Sequence, residues 1–282
     1  MNLQEQCPVC TAQQSKYLFP VKTGKLVKCK NCHLIYYTPQ PSPQELEEFY
    51  NSEAYRSEFS GSLMSGTEFA TNRYLQFESA LKKYAPQILR QSSRKLLDIG
   101  CGTGDFLKVA KQYNWQVSGT EISPIASAKA NQFLGEMCVA TGDALSLELP
   151  SNYYDVVTLY HVIEHLLNPN TLIQKVYQLL KPGGIFFIET PNIAGFGAKL
   201  KGHRWSQIKP PEHIIYFQPS SLKYCLQRAD FKTNFIFTAS PSVIESTQNM
   251  PSIKRKIINA CYKFFPLINM GALLQSISIK PQ

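Results

Sequence analysis

The sequence predicts an α/β protein: a doubly wound, mostly parallel seven-stranded sheet, preceded by a small cysteine-rich module. Three observations carry that prediction. From Lys95 onward, short apolar runs alternate with amphipathic stretches of helical spacing. The first of those runs ends in a cluster of glycines. Near the N-terminus two Cys-x-x-Cys pairs stand 18 residues apart. Repeated strand–helix units give parallel strands whose faces are both covered by helices.

Composition agrees with a folded α/β domain and a smaller appendage. The chain has 282 residues, 44% apolar and 17% charged, enough to bury a sizeable core and too apolar for wholesale disorder. The net charge of +9 sits at the two ends. Residues 1–38 carry five lysines against Glu5, and residues 250–282 carry Lys254, Arg255, Lys256, Lys263 and Lys280 with no acid. Basic ends suit nucleic acid or an anionic membrane surface, and the charge alone selects neither. No run of 18 apolar residues occurs, which excludes a simple transmembrane helix. Met1 to Gln6 are polar, so no secretory signal is expected. The expected compartment is cytoplasmic, where eight cysteines are not a disulfide framework.

Taken in order, residues 7–38 hold cysteines, lysines and short β-prone runs such as Leu34 to Tyr37. Pro39-Gln-Pro-Ser-Pro43 breaks regular structure, and Gln44 to Tyr50 reads as a short helix. Phe69, Tyr74, Phe77, Leu81 and Tyr84 recur at roughly helical spacing across 67–90. Strands follow at Lys95–Ile99, Gln116–Gly119, Met137–Ala140, Asp155–Tyr160 and Ile185–Glu189. The helices between them are placed at Asp105–Tyr113, Ser123–Phe133 and Leu172–Leu180, the last ended by Lys181-Pro-Gly-Gly184. A sixth strand over 231–240 and a seventh over Ala272–Lys280 complete the sheet. The expected units are a module at 1–43, a helical extension at 44–94 and the α/β domain at 95–282.

Asp98-Ile-Gly100-Cys101-Gly102-Thr-Gly104 joins the first strand to its helix. Glycines there reach conformations closed to other residues and let a ligand approach the backbone. The turn also aims N–H groups at the strand end, where α/β sheets bind ligands. Glu121, 17 residues after Gly104 and at the end of the second strand, is placed to accept hydrogen bonds from both hydroxyls of a ribose. The Gly-x-Gly-x-Gly spacing argues against a dinucleotide dehydrogenase, whose fingerprint is Gly-x-Gly-x-x-Gly.

In LLDIGCGTGDFL, GTEIS, GDA, YDVVTLYHVIEHLLNP and LLKPGGIFFIETPN, the sequence resembles the class I methyltransferases, in particular the group containing the ubiquinone-biosynthesis O-methyltransferases. The resemblance implies a Rossmann-like fold and S-adenosylmethionine as cofactor. It places Gly100, Cys101, Gly102 and Gly104 along the methionine part, Glu121 and Ile122 at the ribose, Asp143 and Ala144 at the adenine, and Tyr160 on the sulfonium side. His161-Val-Ile-Glu164-His165 sets two histidines four residues apart, a spacing that can share a helical face. It is not His-Glu-x-x-His, so a cofactor-side or structural role is expected there, with metal binding as the alternative.

Cys7, Cys10, Cys29 and Cys32 form two knuckles that together complete a tetrahedral site, a zinc-ribbon spacing. Four protein ligands leave no open position, so the zinc is expected to be structural. Cys29 to His33 also fits a c-type haem attachment pattern, which leaves Cys7 and Cys10 unexplained. A zinc ribbon before such a core resembles the sugar C-methyltransferases and, more loosely, some ribosomal RNA methyltransferases. In the sugar enzymes a Glu-His pair followed by an aromatic pair lies over the substrate cleft. Here that segment is Lys209-Pro-Pro-Glu212-His213-Ile-Ile-Tyr216-Phe217, so the resemblance makes Glu212 and His213 the candidate catalytic residues. Those enzymes also carry a further C-terminal domain that this sequence does not match, a departure that counts against C-methylation of a nucleotide-linked sugar, which is kept as an alternative.

Around 250–270, Ile253, Ile257, Ile258, Cys261, Phe264, Phe265 and Ile268 fall near one helical face beside Lys254, Arg255, Lys256 and Lys263. This basic amphipathic insert is expected to be a lid or core helix, with peripheral membrane contact through 253–268 as the alternative. The functional expectation is methyl transfer from S-adenosylmethionine to a hydroxyl of a small polar acceptor, a sugar or a lipid-linked molecule. Two rivals stand beside it: an RNA methyltransferase gripping phosphates through the basic ribbon, and a non-enzymatic zinc-ribbon binding protein.

Overall fold

A computed structural model describes residues 6–51, 66–240, 260 and 264–282. The cysteine-rich module is an antiparallel sheet of β1 (Ser15–Val21), β2 (Gly24–Cys29) and β3 (Ile35–Thr38). Leu26 and Ile35 are buried on one of its faces and Val27 and Tyr36 on the other. After the proline segment come α1 (Pro43–Asn51), α2 (Thr67–Tyr84) and α3 (Pro86–Leu89). On α2, Phe69, Ala70, Tyr74, Phe77, Ala80 and Leu81 form one buried stripe at the spacing the sequence sets out.

The alternating part contains β4 (Arg94–Ile99), α4 (Asp105–Gln112), β5 (Trp115–Glu121), α5 (Pro124–Leu134), β6 (Val139–Thr141), β7 (Tyr154–Tyr160), α6 (Pro169–Leu179) and β8 (Leu180–Pro191). It continues through α7 (Phe196–Lys201), β9 (Ile215–Tyr216), α8 (Pro219–Arg228), β10 (Thr233–Ala239) and β11 (Leu273–Ile279). Local signals set the ends of α5. Ser123 caps its start by accepting from the Ala126 N–H, Pro124 takes the first turn, and Gly135 closes it at φ 73°.

The large sheet has seven strands in the order β10-β11-β8-β7-β4-β5-β6. Strands β6, β5, β4, β7 and β8 run parallel, and β11 lies antiparallel to both β8 and β10. This is a doubly wound Rossmann-like sheet with one reversed strand. Successive strand residues face opposite layers. Leu96, Val156, Ile185 and Phe187 pack with Tyr74, Phe77, Phe106 and Leu107 on one side. Their neighbours Leu97, Val157, Phe186 and Ile188 pack with Ile173, Val176, Leu222 and Leu226 on the other. The buried residues of the cysteine module belong to this second layer.

The sequence reading needs one correction at α6. The helix ends at Leu179, and the Lys181-Pro-Gly-Gly184 breaker is drawn into β8. Tyr154 pairs with Leu180 while Val156 pairs with Ile185, so the breaker residues bulge out of the parallel ladder. On the other edge the Gly183 N–H donates to the Lys280 carbonyl, and the Lys280 N–H to that of Gly184. Pairing with β11 holds as strand what local chemistry reads as a turn.

Strand β9 lies in the smaller sheet, in the order β1-β2-β3-β9, so a late segment of the α/β part completes the N-terminal sheet. Much of the expected amphipathic insert (250–259 and 261–263) lies outside the described residues, whereas Phe265–Ile268 forms a 3-10 turn with Leu267 exposed. Among the described residues, no helix is long and apolar enough to cross a membrane.

Candidate cofactor and metal sites

The glycine loop after β4 takes left-handed conformations at Gly100 (φ 74°), Gly102 (φ 56°) and Gly104 (φ 80°). The reasons differ. A Cβ on Gly100 would stand 2.5 Å from Val162 Cγ2, and one on Gly104 3.1 Å from Ala130 Cβ. Among the described residues, a Cβ on Gly102 would meet nothing within 4 Å. The outer two glycines serve the protein's own packing, and Gly102 faces open space at the strand end.

Glu121 ends β5 beside that space. Its Oε2 accepts from the Gly102 N–H and its Oε1 from the Ser123 N–H, each at 2.9 Å. Both oxygens are thereby aimed, and each keeps a lone pair for a further donor. Ile122 is 69% exposed next to it. The Gly142 N–H donates to the Glu121 carbonyl, which brings the Gly142–Ala144 turn to the same edge. Within that turn Asp143 Oδ1 accepts from the Leu145 N–H at 3.0 Å, and Ala144 is buried. The candidate residues at 100–104, 121–122 and 143–144 therefore converge on adjacent strand ends. Cys101 lies buried in the loop, and burial pushes its thiol far above the ordinary range, so it supplies no thiolate.

Tyr160 ends β7, with its ring 4.8 Å from that of Phe106. Its hydroxyl is buried and has no hydrogen-bond partner among the described residues. The Arg73 guanidinium lies 4.5 Å from the centre of this ring and of Phe69, and 3.5 Å from Glu189 Oε1. Sequence reasoning passed over Arg73. The available signal was a cation on the apolar stripe of α2, four residues after Phe69. Asp98, at the loop's start, is buried and accepts from the Thr158 hydroxyl at 2.7 Å, and burial raises its carboxyl to about 7.

The His161–His165 stretch is not an α-helix; Ile163–His165 is a 3-10 turn, and His161 sits at φ 55°. The two imidazoles consequently diverge. His161 Nδ1 is 3.2 Å from Glu164 Oε1, and its Nε2 is 3.4 Å from Glu189 Oε1. Burial opposes a charge on this ring, but the hydrogen bond to Glu164 and the nearby Glu189 carboxylate outweigh it and raise the imidazole to about 9. Glu164 in turn is held near 2 despite its burial, chiefly by His161, and its Oε2 accepts from the Thr190 hydroxyl. His165 turns the other way, its Nδ1 2.8 Å from the Glu212 carbonyl.

Glu212 and His213 lie in the segment between α7 and β9. Glu212 is bound by Lys209, with Nζ 2.6 Å from Oε1. His213 is 4% exposed and sits 3.0 Å through Nδ1 from the Gln207 carbonyl. That bond puts the proton on Nδ1 and leaves Nε2 as the accepting nitrogen, 3.9 Å from Glu212 Oε1. Burial, above all, lowers the ring to about 3, so it is neutral at ordinary pH. Its ring packs edge-on against His165, 4.8 Å between centres, and the donor atoms of Glu164, His165 and His213 lie within 4.8 Å of one another.

The four N-terminal cysteines do come together. Their Sγ atoms all lie within 4.8 Å, with Cys7–Cys32 and Cys10–Cys29 each at 3.4 Å and every thiol free. A tetrahedral zinc with bonds of about 2.3 Å sets sulfurs roughly 3.8 Å apart, so the cage accepts that ion once the two closest pairs open by a few tenths of an ångström. The Asn31 N–H points at Cys29 Sγ from 3.4 Å, as a knuckle amide does.

Comparison with known proteins agrees with this geometry. Residues 69–234 match the methyltransferase domain family. Over 107 residues the chain is 34% identical to a ubiquinone biosynthesis O-methyltransferase of Pseudomonas entomophila, covering 36% of this chain and 46% of that protein. A counterpart from Pseudomonas aeruginosa is 33% identical over the same coverage. The chain thus spans about half the length of the curated relatives it matches. In fold it is similar to a SAM dependent methyltransferase from Archaeoglobus fulgidus, with a TM-score of 0.54 and 24% identity over 81% of this chain and 100% of the other. It is also similar to a phosphoethanolamine N-methyltransferase from Haemonchus contortus, with a TM-score of 0.57 and 19% identity over 86% of this chain and 62% of the other. The chain belongs to the methyltransferase domain family, as a class I methyltransferase core with a four-cysteine ribbon ahead of it.

Proposed function

We propose that this protein transfers the methyl group of S-adenosylmethionine to a hydroxyl of a small polar molecule, a sugar or a lipid-linked sugar. The observation that carries the reading is the pairing of Glu121 with the open face of Gly102. The backbone there admits a ligand, and a carboxylate with both oxygens aimed stands beside it. Glu121 would hold the ribose hydroxyls, Asp143 and Ala144 the adenine, and the Gly100–Gly104 turn the methionine part. Arg73 joins this set as a cation for a carboxylate end, and the unpartnered Tyr160 hydroxyl supplies a buried polar contact. When bound, S-adenosylmethionine supplies a methyl group activated by a sulfonium. The protein's task is alignment, which can provide roughly 7–11 kcal/mol of a barrier.

A hydroxyl is a weak nucleophile while protonated, so the acceptor side needs a group that takes its proton. We place that role at His213, whose Nε2 is the accepting nitrogen but whose burial, holding the ring near 3, makes it a weak base in this closed arrangement, with Glu212 beside it to contact the acceptor. Cys7, Cys10, Cys29 and Cys32 would hold a structural zinc.

The test is turnover of labelled S-adenosylmethionine against sugars, lipid-linked sugars and RNA. Label is expected in an oxygen-bound methyl of a sugar. Label in RNA, or on carbon, would transfer the conclusion to the corresponding rival, and no turnover with any acceptor would favour a binding protein. His213→Ala should lower turnover by roughly 10²-fold or more, the usual scale for a lost general base. Glu121→Ala should instead weaken binding of S-adenosylhomocysteine in calorimetry; full affinity in that variant rejects the ribose assignment.

A further inference from the structure

We infer that the cysteine ribbon is the positioning element of the Glu212–His213 segment, so that the four cysteines set the geometry of the acceptor side from outside the core. The inference rests on the reading of that segment as the acceptor side.

Strand β9 begins two residues after His213, and among the described residues its one strand partner is ribbon strand β3, through Ile35–Tyr216 and Tyr36–Ile215. Ile214 is gripped from two directions. Its N–H donates to the Glu164 carbonyl in the core at 3.0 Å, and its carbonyl accepts from the Tyr37 N–H of the ribbon at 2.9 Å. Tyr216, paired with Ile35, donates its hydroxyl to the His213 carbonyl at 2.7 Å. The ribbon register therefore fixes the backbone on the C-terminal side of the imidazole.

Two side-chain ties continue the seam. Gln218 Nε2 donates to the carbonyl of His33, the residue after Cys32, at 3.1 Å. Asn170 Nδ2 on α6 donates to the carbonyl of Val9, inside the first knuckle, at 2.7 Å. Both knuckles are thus docked on the core.

The cysteines govern β3 because they brace the turn that feeds it. Cys29 ends β2, its N–H donates to the Leu34 carbonyl at 2.8 Å, and Cys32 lies between them in sequence. A module of about 40 residues has too little core to stand without a metal or another staple. Loss of the metal would loosen β3, and β9 would lose its ladder. Misplacement of about 1 Å at a reacting group can cost 10²-fold in rate.

The experiment is hydrogen exchange on the full chain, zinc-loaded and after chelation. Exchange across 205–217 is expected to rise about tenfold or more together with 7–38, while 95–160 stays protected and S-adenosylhomocysteine affinity is unchanged. Retained protection of 205–217 while 7–38 loses its own would overturn the inference. If chelation loosens 95–160 as well, Asn170→Ala in the zinc-loaded chain asks the same question without metal loss. Faster exchange at 214–216, and a lower kcat at unchanged KM for the cofactor, support positioning; unaltered exchange at 214–216 refutes it. Exchange decides this point even if no acceptor is methylated, so failure of the functional reading is told apart from failure of the coupling.

Discussion

His161 lies between two buried carboxylates, Glu164 and Glu189, and this makes stability depend on pH. Its imidazole rises from 6.5 to about 9 on folding. The folded state therefore binds a proton that the unfolded chain releases above 6.5. The stabilisation is fully present below that pH and is lost as pH rises through about 9. The shift corresponds to about 3 kcal/mol at most. Denaturant midpoints measured from pH 6 to 10 should fall across this window, and His161→Gln should abolish the slope while lowering the plateau. A flat wild-type profile would remove the imidazolium from the account. Asp98 acts with the same sign at lower pH: its raised carboxyl stabilises the folded chain below about 4, and that contribution is lost by about pH 7.

Among the elements, the glycine loop separates packing from binding. Gly100→Ala places a Cβ 2.5 Å from Val162 Cγ2 at a φ of 74°, so it should cost about 1–3 kcal/mol of stability. Gly102→Ala carries the left-handed strain, about 1–2 kcal/mol, but meets no neighbour. Its added methyl stands in the space a ligand would use. Thermal unfolding should therefore rank Gly100→Ala as the more damaging substitution. Calorimetry should find S-adenosylhomocysteine binding weakened about tenfold or more in a folded Gly102→Ala, a loss of roughly 1.4 kcal/mol. Full affinity there would place the ligand elsewhere.

Across the whole molecule, the ribbon and the α/β part share one buried layer and one sheet edge. Elemental analysis of the purified protein should find about one zinc per chain, as four thiolate ligands would hold. Chelation should lower the unfolding temperature, because binding energy at such a site is folding energy. Protein free of metal, or carrying covalent haem, would remove the zinc assignment.

Features that depend on neighbours along the chain are legible in the amino-acid order. The apolar runs at Leu96–Leu97, Val156–Val157 and Phe186–Phe187 specify strands buried on both faces. Gly100 to Gly104 specify a turn only glycines adopt readily, and the two Cys-x-x-Cys pairs specify a four-ligand cage. Features that depend on partners far away in sequence emerge with the folded chain. Pairing with β11 up to Ile185, continued by the Gly183 and Gly184 bonds to Lys280 just beyond it, carries β8 through Lys181–Gly184 against local turn chemistry. A left-handed backbone at His161 sends its ring to Glu164 and Glu189 while His165 turns to Glu212, although their spacing permits a shared helical face. Arg73 reaches Tyr160 because α2 packs across the end of β7, and β3 reaches β9 across some 180 intervening residues. Hydrophobic periodicity records which face of an element is buried; it carries no record of which other element buries it.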